Sequence, residues 1–150
     1  MKTKRFLVGV DGSAYEAEVV DAAVALAGPL GAKIHLVRAV TFPAHGVPYG
    51  MLSMAPDEVE REMLRTAQDD LEVILQRIPA AQRGEAQAVI GAPVPVIEKA
   101  AEEGDVDLIV IGARGHGMID RLLGSIAGKI VNHANRSVIV VRDAQRLARP

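Results

Sequence analysis

Five short runs rich in Val, Ile and Leu recur along the chain at Phe6 to Val10, Ile34 to Val40, Ala86 to Ile90, Val106 to Gly112 and Ser137 to Arg142. Continuous apolar runs of this length are what strands buried on both faces require, because neither face meets water. The stretches between them repeat their apolar residues at helical spacing. One helix is predicted after Ser13, with Ala17, Val20, Val24 and Ala27 facing inward until Gly28-Pro29 interrupts the pattern. A second spans Glu58 to Ile78 through Val59, Met63, Ala67, Leu71, Ile74 and Ile78. A third covers Val94 to Glu103, and a fourth covers Ser125 to Ala134 with Ile126, Ile130 and Val131 on its apolar face. Strands alternating with helices predict one α/β domain with a mostly parallel sheet and helices on both faces, since parallel neighbours need crossover connections.

The size of the chain and its residue types agree with that architecture. A 150-residue chain forms a single domain that buries about 70% of its unfolded surface. With two Phe, two Tyr and no Trp, its core must be made of aliphatic side chains. Neither an internal repeat nor a second domain is visible. The segment from 41 to 57 breaks the rhythm with Pro43, Pro48 and Pro56, and is predicted to be a long loop, a lid or partner surface or else disordered. Residues 143 to 150 read as a polar tail.

Charge and residue usage narrow the function. Seventeen basic and nineteen acidic residues, a net charge of -2, are interspersed, leaving no field that would draw in a nucleic-acid backbone or an anionic membrane. The absence of Cys removes disulfides, zinc thiolates and thiol catalysis. The first apolar run stops at Asp11 after five residues, too short for a secretory core of roughly 7 to 15 residues, and no stretch approaches the roughly 18 of a membrane span. A soluble cytoplasmic protein is the expectation.

Two stretches at strand ends stand out. Asp11-Gly12-Ser13 closes the first run, and Ser13 with Glu16 has the spacing of a capping box. After the fourth run comes "GARGHGMIDRLLGS", with Gly112, Gly115, Gly117 and Gly124 in fourteen residues. Glycines let backbone amides approach a ligand closely, and a helix starting at Ser125 adds unpaired donors and a positive dipole end, together favouring phosphate. The same glycines would equally serve a plain turn, with Ser125 capping its helix. The P-loop pattern is not met, because Gly128-Lys129 is followed by Ile130. The dinucleotide fingerprint GxGxxG is not met either.

Over nearly its whole length the sequence resembles the universal stress protein family. The resemblance is carried by "FLVGVDGS", "IHLVRAV", "VIGAPVPVI", "DLIVIGARGHG" and "LLGSIAGKIVNHANRSVIVVR", in that order. The family's nucleotide motif is Gly, two residues, Gly, nine residues, Gly and Ser or Thr, and it marks members that bind ATP. Gly112, Gly115, Gly124 and Ser125 match it, but eight residues, His116 to Leu123, fill the long spacer. One residue of extended chain spans up to about 3.6 Å, so the phosphate grip is displaced relative to the family pattern. The resemblance implies a five-stranded sheet in order 3-2-1-4-5 and assigns Asp11 to the adenine end. It places Gly9, Val10 and Ala39 in the adenine pocket, with Ile111 and Gly112 close by. Gly115, Gly124, Ser125 and the Ile126 amide fall at the phosphates, with Arg114 and His116 as further donors or as solvated loop residues.

The resemblance further implies a homodimer through Val138 to Val141, a strongly apolar run of the kind that pairs when left at an edge. His35, His45 and His133 lack metal-ligand spacing, so any Mg²⁺ would arrive with ATP. Three functions compete: a dimeric ATP-dependent regulator of the stress response read by a partner such as a transporter, an ATP hydrolase, or an interaction protein that ignores nucleotide or prefers cyclic AMP. With no Walker lysine and no evident base near the glycine loop, hydrolysis is at most slow.

Overall fold

The computed structural model describes residues 2–42, 46–113 and 123–142. It contains five strands, β1 (Arg5–Gly9), β2 (Lys33–Val40), β3 (Arg83–Ile90), β4 (Leu108–Gly112) and β5 (Ser137–Val141). Four helices connect them, α1 (Glu16–Leu30), α2 (Pro56–Arg77), α3 (Pro93–Glu103) and α4 (Ser125–His133). All strand pairs are parallel and the sheet order is β3-β2-β1-β4-β5, the order the resemblance implies.

The continuous apolar runs are explained by two cores, one on each face of the sheet. Phe6 and Val8 of β1 join Val20, Ala23 and Ala27 of α1 and Ala67, Leu71 and Leu75 of α2 on one side. Leu7, between them in sequence, points the other way and joins Ile97 and Ala101 of α3 and Ala127 and Ile130 of α4. Each fully buried aliphatic side chain of this kind contributes about 1.5 to 3 kcal/mol. A charged residue at Val8, which is fully buried, would leave an unpaired charge at the centre of the sheet.

Helix boundaries depart from the sequence reading for local reasons. The Gly28-Pro29 pair does not end α1, which runs to Leu30 with Pro29 in its last turn. It closes instead at Gly31, whose φ of 61° is left-handed, and the next residue's amide, that of Ala32, bonds the Ala27 carbonyl. The inward face of α1 is Val19, Val20, Ala23 and Ala27, so Ala17 is exposed and Val24 only partly buried. Pro56 occupies the first turn of α2, which therefore begins before Glu58, since a proline there sacrifices no intrahelical hydrogen bond. Among the described residues a 3-10 turn, Tyr49–Met51, interrupts the preceding segment. On α4, Ala127 and Ile130 are buried, whereas Ile126 and Val131 are 44% and 47% exposed, so of the expected Ile126, Ile130 and Val131 face Ile130 alone reaches the core. The tail from 143 to 150 lies outside the described residues.

After β3 the chain returns to the centre of the sheet, where β4 pairs with β1 on the side opposite β2. The connections leaving β1 and β4 then lead to helices on opposite faces, α1 on one and α4 on the other. A crevice opens where they part, beyond the carboxyl ends of these two strands, the usual ligand position in such sheets. Among the described residues no helix is long and apolar enough to cross a membrane.

Candidate functional site

The crevice is a cleft of about 410 Å³. Its floor is apolar: Gly9 and Val10 from the end of β1, Val37 and Ala39 from β2, and Ile111 with Gly112 from β4. Gly9 keeps this floor low, because a Cβ there would meet Ile97 Cδ1 at 3.1 Å and Ile111 Cγ2 at 3.2 Å. Two helix starts form its rims, Asp11 to Glu16 on one side and Gly124 to Ala127 on the other.

The first rim is built around a turn that uses its own carboxylates. Asp11 Oδ1 accepts the Ser13 amide at 2.9 Å, and Ser13 Oγ accepts the Tyr15 amide at 3.3 Å. Glu16 reaches back four residues and accepts the Gly12 amide at 2.6 Å. The Ser13–Glu16 capping box is thus corrected. Tyr15, not Ser13, precedes the first helical residue, and Glu16 bonds Gly12 instead of Ser13. The turn needs a glycine at position 12: its φ is 75°, and a Cβ would sit 2.8 Å from the Arg38 guanidinium packed beneath it. The second oxygen of Asp11 has no hydrogen-bond partner among the described residues, which leaves it available to the cleft.

The second rim has the opposite chemistry. α4 starts at Ser125 behind an N-cap glycine, Gly124, with no side-chain cap and no acidic residue in its first turn. The amides of Ser125, Ile126 and Ala127 therefore lack intrahelical acceptors. All three residues line the cleft. Ser125 does not cap the helix, being its first residue. Nor is Gly124 the expected amide donor, because its N–H is spent on the Ala113 carbonyl at 2.8 Å. That bond ties together the two ends of segment 114–122 and holds Gly124 buried at the mouth.

Nine residues singled out from sequence thus border one cavity: Gly9, Val10, Asp11, Ala39, Ile111, Gly112, Gly124, Ser125 and Ile126. Arg114, Gly115 and His116 lie outside the described residues, as does His45. Sequence reasoning missed Tyr15, Glu16, Thr41, Pro93, Ile97 and Ala127, which also line the cleft. For Ala127 the signal was present, since a helix starting at Ser125 exposes a third amide. For Pro93 and Ile97 there was none, because only the packing of α3 across the sheet brings them to the wall.

The described histidines are remote from this chemistry. His35, half-buried on β2, accepts the Glu85 amide at its Nδ1 at 3.1 Å. Burial pushes its pKa down, opposed by the charge of Glu85 and assisted by Arg5. His133 ends α4. No group of three His, Cys, Asp or Glu suited to a metal ion occurs among the described residues.

Against known proteins, the sequence pattern of the universal stress protein family matches residues 2–142. Universal stress protein YxiE of Bacillus subtilis is 30% identical over 151 aligned positions, covering 92% of this chain and 98% of its own. Among solved structures, the universal stress protein UspA from Lactobacillus plantarum superposes with a TM-score of 0.76 at 26% identity, covering 95% of this chain and 99% of the other. A universal stress protein crystallised in complex with cAMP superposes with a TM-score of 0.67 at 29% identity, covering 92% and 96%.

Proposed function

Because this chain belongs to the universal stress protein family, we propose that it binds an adenine nucleotide in the cleft, ATP first, and acts as a nucleotide-dependent regulatory switch in the stress response. The observation that carries this reading is the contrast between the rims: three uncapped amides of α4 on one side, carboxylates of Asp11 and Glu16 on the other. Phosphates sit at α4, where each charge gains about 0.3 to 1 kcal/mol from the helix terminus and more when partly buried. The adenosine end lies over the apolar floor of Val10, Ala39 and Ile111, with Asp11 accepting from the base amine or a ribose hydroxyl. Arg114, Gly115 and His116 complete the phosphate side from the loop. Mg²⁺ enters with the nucleotide.

Among the described residues the groups lining this site bind and orient, with no lysine placed to drive phosphoryl transfer, so hydrolysis is slow at most. The switch acts as a homodimer joined through the Val138 to Val141 edge, in the cytoplasm, and its nucleotide state is read by a regulatory partner such as a transporter. A second reading, a cAMP receptor, is favoured by the 29% identical relative bound to cAMP and by the shortened glycine spacer. A nucleotide-independent interaction protein is the remaining alternative.

Calorimetric titration of nucleotide-stripped protein with ATP and Mg²⁺, ADP, AMP and cAMP separates these. Affinity that falls with each phosphate removed supports the ATP switch, and tightest binding of cAMP supports the receptor. No binding of any of them rejects both.

A further inference from the structure

A five-stranded open sheet has two edges, and in this protein they are treated differently. β5 lies at one edge and β3 at the other. Within a strand the backbone groups of alternate residues point to the same side. On β3 the Gly91 amide bonds inward to the Val40 carbonyl of β2, and the Glu85 amide bonds inward to His35, so residues of that parity face β2. Ala86 and Ala88, of the other parity, direct their N–H and C=O groups outward, away from the sheet.

Two of those four outward groups, the Ala86 carbonyl and the Ala88 amide, are already taken. Gln68, on α2, donates from Nε2 to the Ala86 carbonyl at 2.8 Å and accepts the Ala88 amide at Oε1 at 2.9 Å. Its carboxamide has the donor and acceptor that a neighbouring strand would offer, and it reproduces one rung of such a strand with both bonds partly buried. Gln68 also bonds Glu72 one turn along the same helix, which holds the amide in this orientation. The exposed side chains of the strand are Glu85, Gln87 and Ile90. At β5, by contrast, no side-chain hydrogen bond reaches the backbone of Val138 or Val140 among the described residues, and the side chains from Val138 to Val140 are apolar and only partly buried.

We infer that Gln68 is an edge plug: by occupying the Ala86 carbonyl and the Ala88 amide at the centre of β3, it confines strand-to-strand self-association of this protein to the β5 edge. The consequence is closure. Copies joined through one self-complementary edge stop at two, whereas a protomer with two open edges can pair at both and extend without limit. The side-chain amide is therefore a determinant of assembly size, independent of whether the cleft binds nucleotide.

The test is the mass of Gln68→Ala by light scattering over a range of protein concentrations, beside the wild type. The expected result is a fixed wild-type mass and a variant mass that rises with concentration to at least about twofold the wild-type value. Hydrogen exchange reads the edge directly. The Ala88 amide is slow in wild type, fast in dilute variant and slow again once the variant has assembled. Gln68→Met, which keeps the chain length and helix preference but neither hydrogen bond, carries the same expectation if the alanine variant does not fold. Adding Val140→Pro to either variant removes an outward amide of β5 and halts growth at pairs formed through β3. If the wild type is itself monomeric, the β5 dimer is wrong while the plug stands, and the variant then forms pairs through β3. A folded variant that keeps the wild-type mass at every concentration, with its Ala88 amide already fast, overturns the inference.

Discussion

Two helices start on the rims of the same cleft, and they are opposite in what they offer a ligand. α1 carries Glu16 and Glu18 in its first turn, and the turn before it satisfies the Gly12, Ser13 and Tyr15 amides with Glu16, Asp11 and Ser13 side chains. α4 has a glycine N-cap and no acid in its first turn, and its first three residues, whose amides lack intrahelical acceptors, line the cleft. Both follow central, parallel strands of one sheet, so fold alone does not decide where an anion goes. The two first turns differ in their side chains, leaving a cleft with carboxylates at one end and an acid-free helix start at the other.

The largest way to break that contrast is to make α4 resemble α1. Ser125→Asp places a carboxylate at the first position of α4, where it caps the bare amides and repels phosphate. Two like charges about 4 Å apart repel by roughly 4 kcal/mol at an intermediate effective dielectric, so ATP affinity drops by about a hundredfold or more. Calorimetry checks this, and a melting temperature that stays level or rises shows that the loss lies in the site and not in the fold. A smaller effect follows from Asp11→Asn, which keeps an oxygen for the Ser13 amide but removes the charge facing the adenosine end. Affinity for ATP, AMP and cAMP should then fall together, by roughly tenfold, the scale of one charged hydrogen bond. Parallel losses place Asp11 away from the phosphates, whereas a loss confined to ATP would not.

Making α1 resemble α4 has a weaker outcome. Glu16→Gln still accepts the Gly12 amide but lowers the negative field on that rim, and ATP affinity rises by about threefold, within the range of one partly screened charge. The smallest effect lies away from the cleft and comes from acid. The native state keeps the His35 ring neutral, because burial lowers its pKa from 6.5 and Nδ1 already accepts the Glu85 amide. The unfolded chain takes up the proton first as pH falls, so the stabilisation present above 6.5 is lost below it. Thermal melting from neutral pH toward pH about 5 follows this decline. His35→Gln, which retains an acceptor, flattens it while leaving the wild-type to Ser125→Asp ratio of cAMP affinities unchanged.

Much of this was legible in sequence because burial on both faces writes itself as uninterrupted runs such as Phe6 to Val10. The sheet order came from the family resemblance and the two rims from Asp11-Gly12-Ser13 and Gly124-Ser125. The parts that were not legible are hydrogen-bond partnerships. A capping-box spacing at Ser13 and Glu16 is compatible with several turn geometries, and the left-handed Gly12 shifts the helix start so that Glu16 meets a different amide. Gly124 read as a donor, but its N–H closes the base of the loop on Ala113, which requires strand and helix to be placed first. Helical spacing likewise put Ile126, Ile130 and Val131 on the buried face of α4, whereas the helix is rotated so that the small Ala127 packs inward beside Ile130 and Ile126 borders the cleft. Nothing in the sequence singles out Gln68 on α2, and only the position of β3 beside it reveals its two bonds to that strand.

The most direct test of the central contrast is an amide NMR titration of the stripped protein with ATP and Mg²⁺, following both helix starts together. The account predicts large shifts at Ser125, Ile126 and Ala127 as their protons gain phosphate acceptors, with the Gly12 amide little changed because Glu16 already holds it. Large shifts at Gly12 with silent amides at the start of α4 would contradict it.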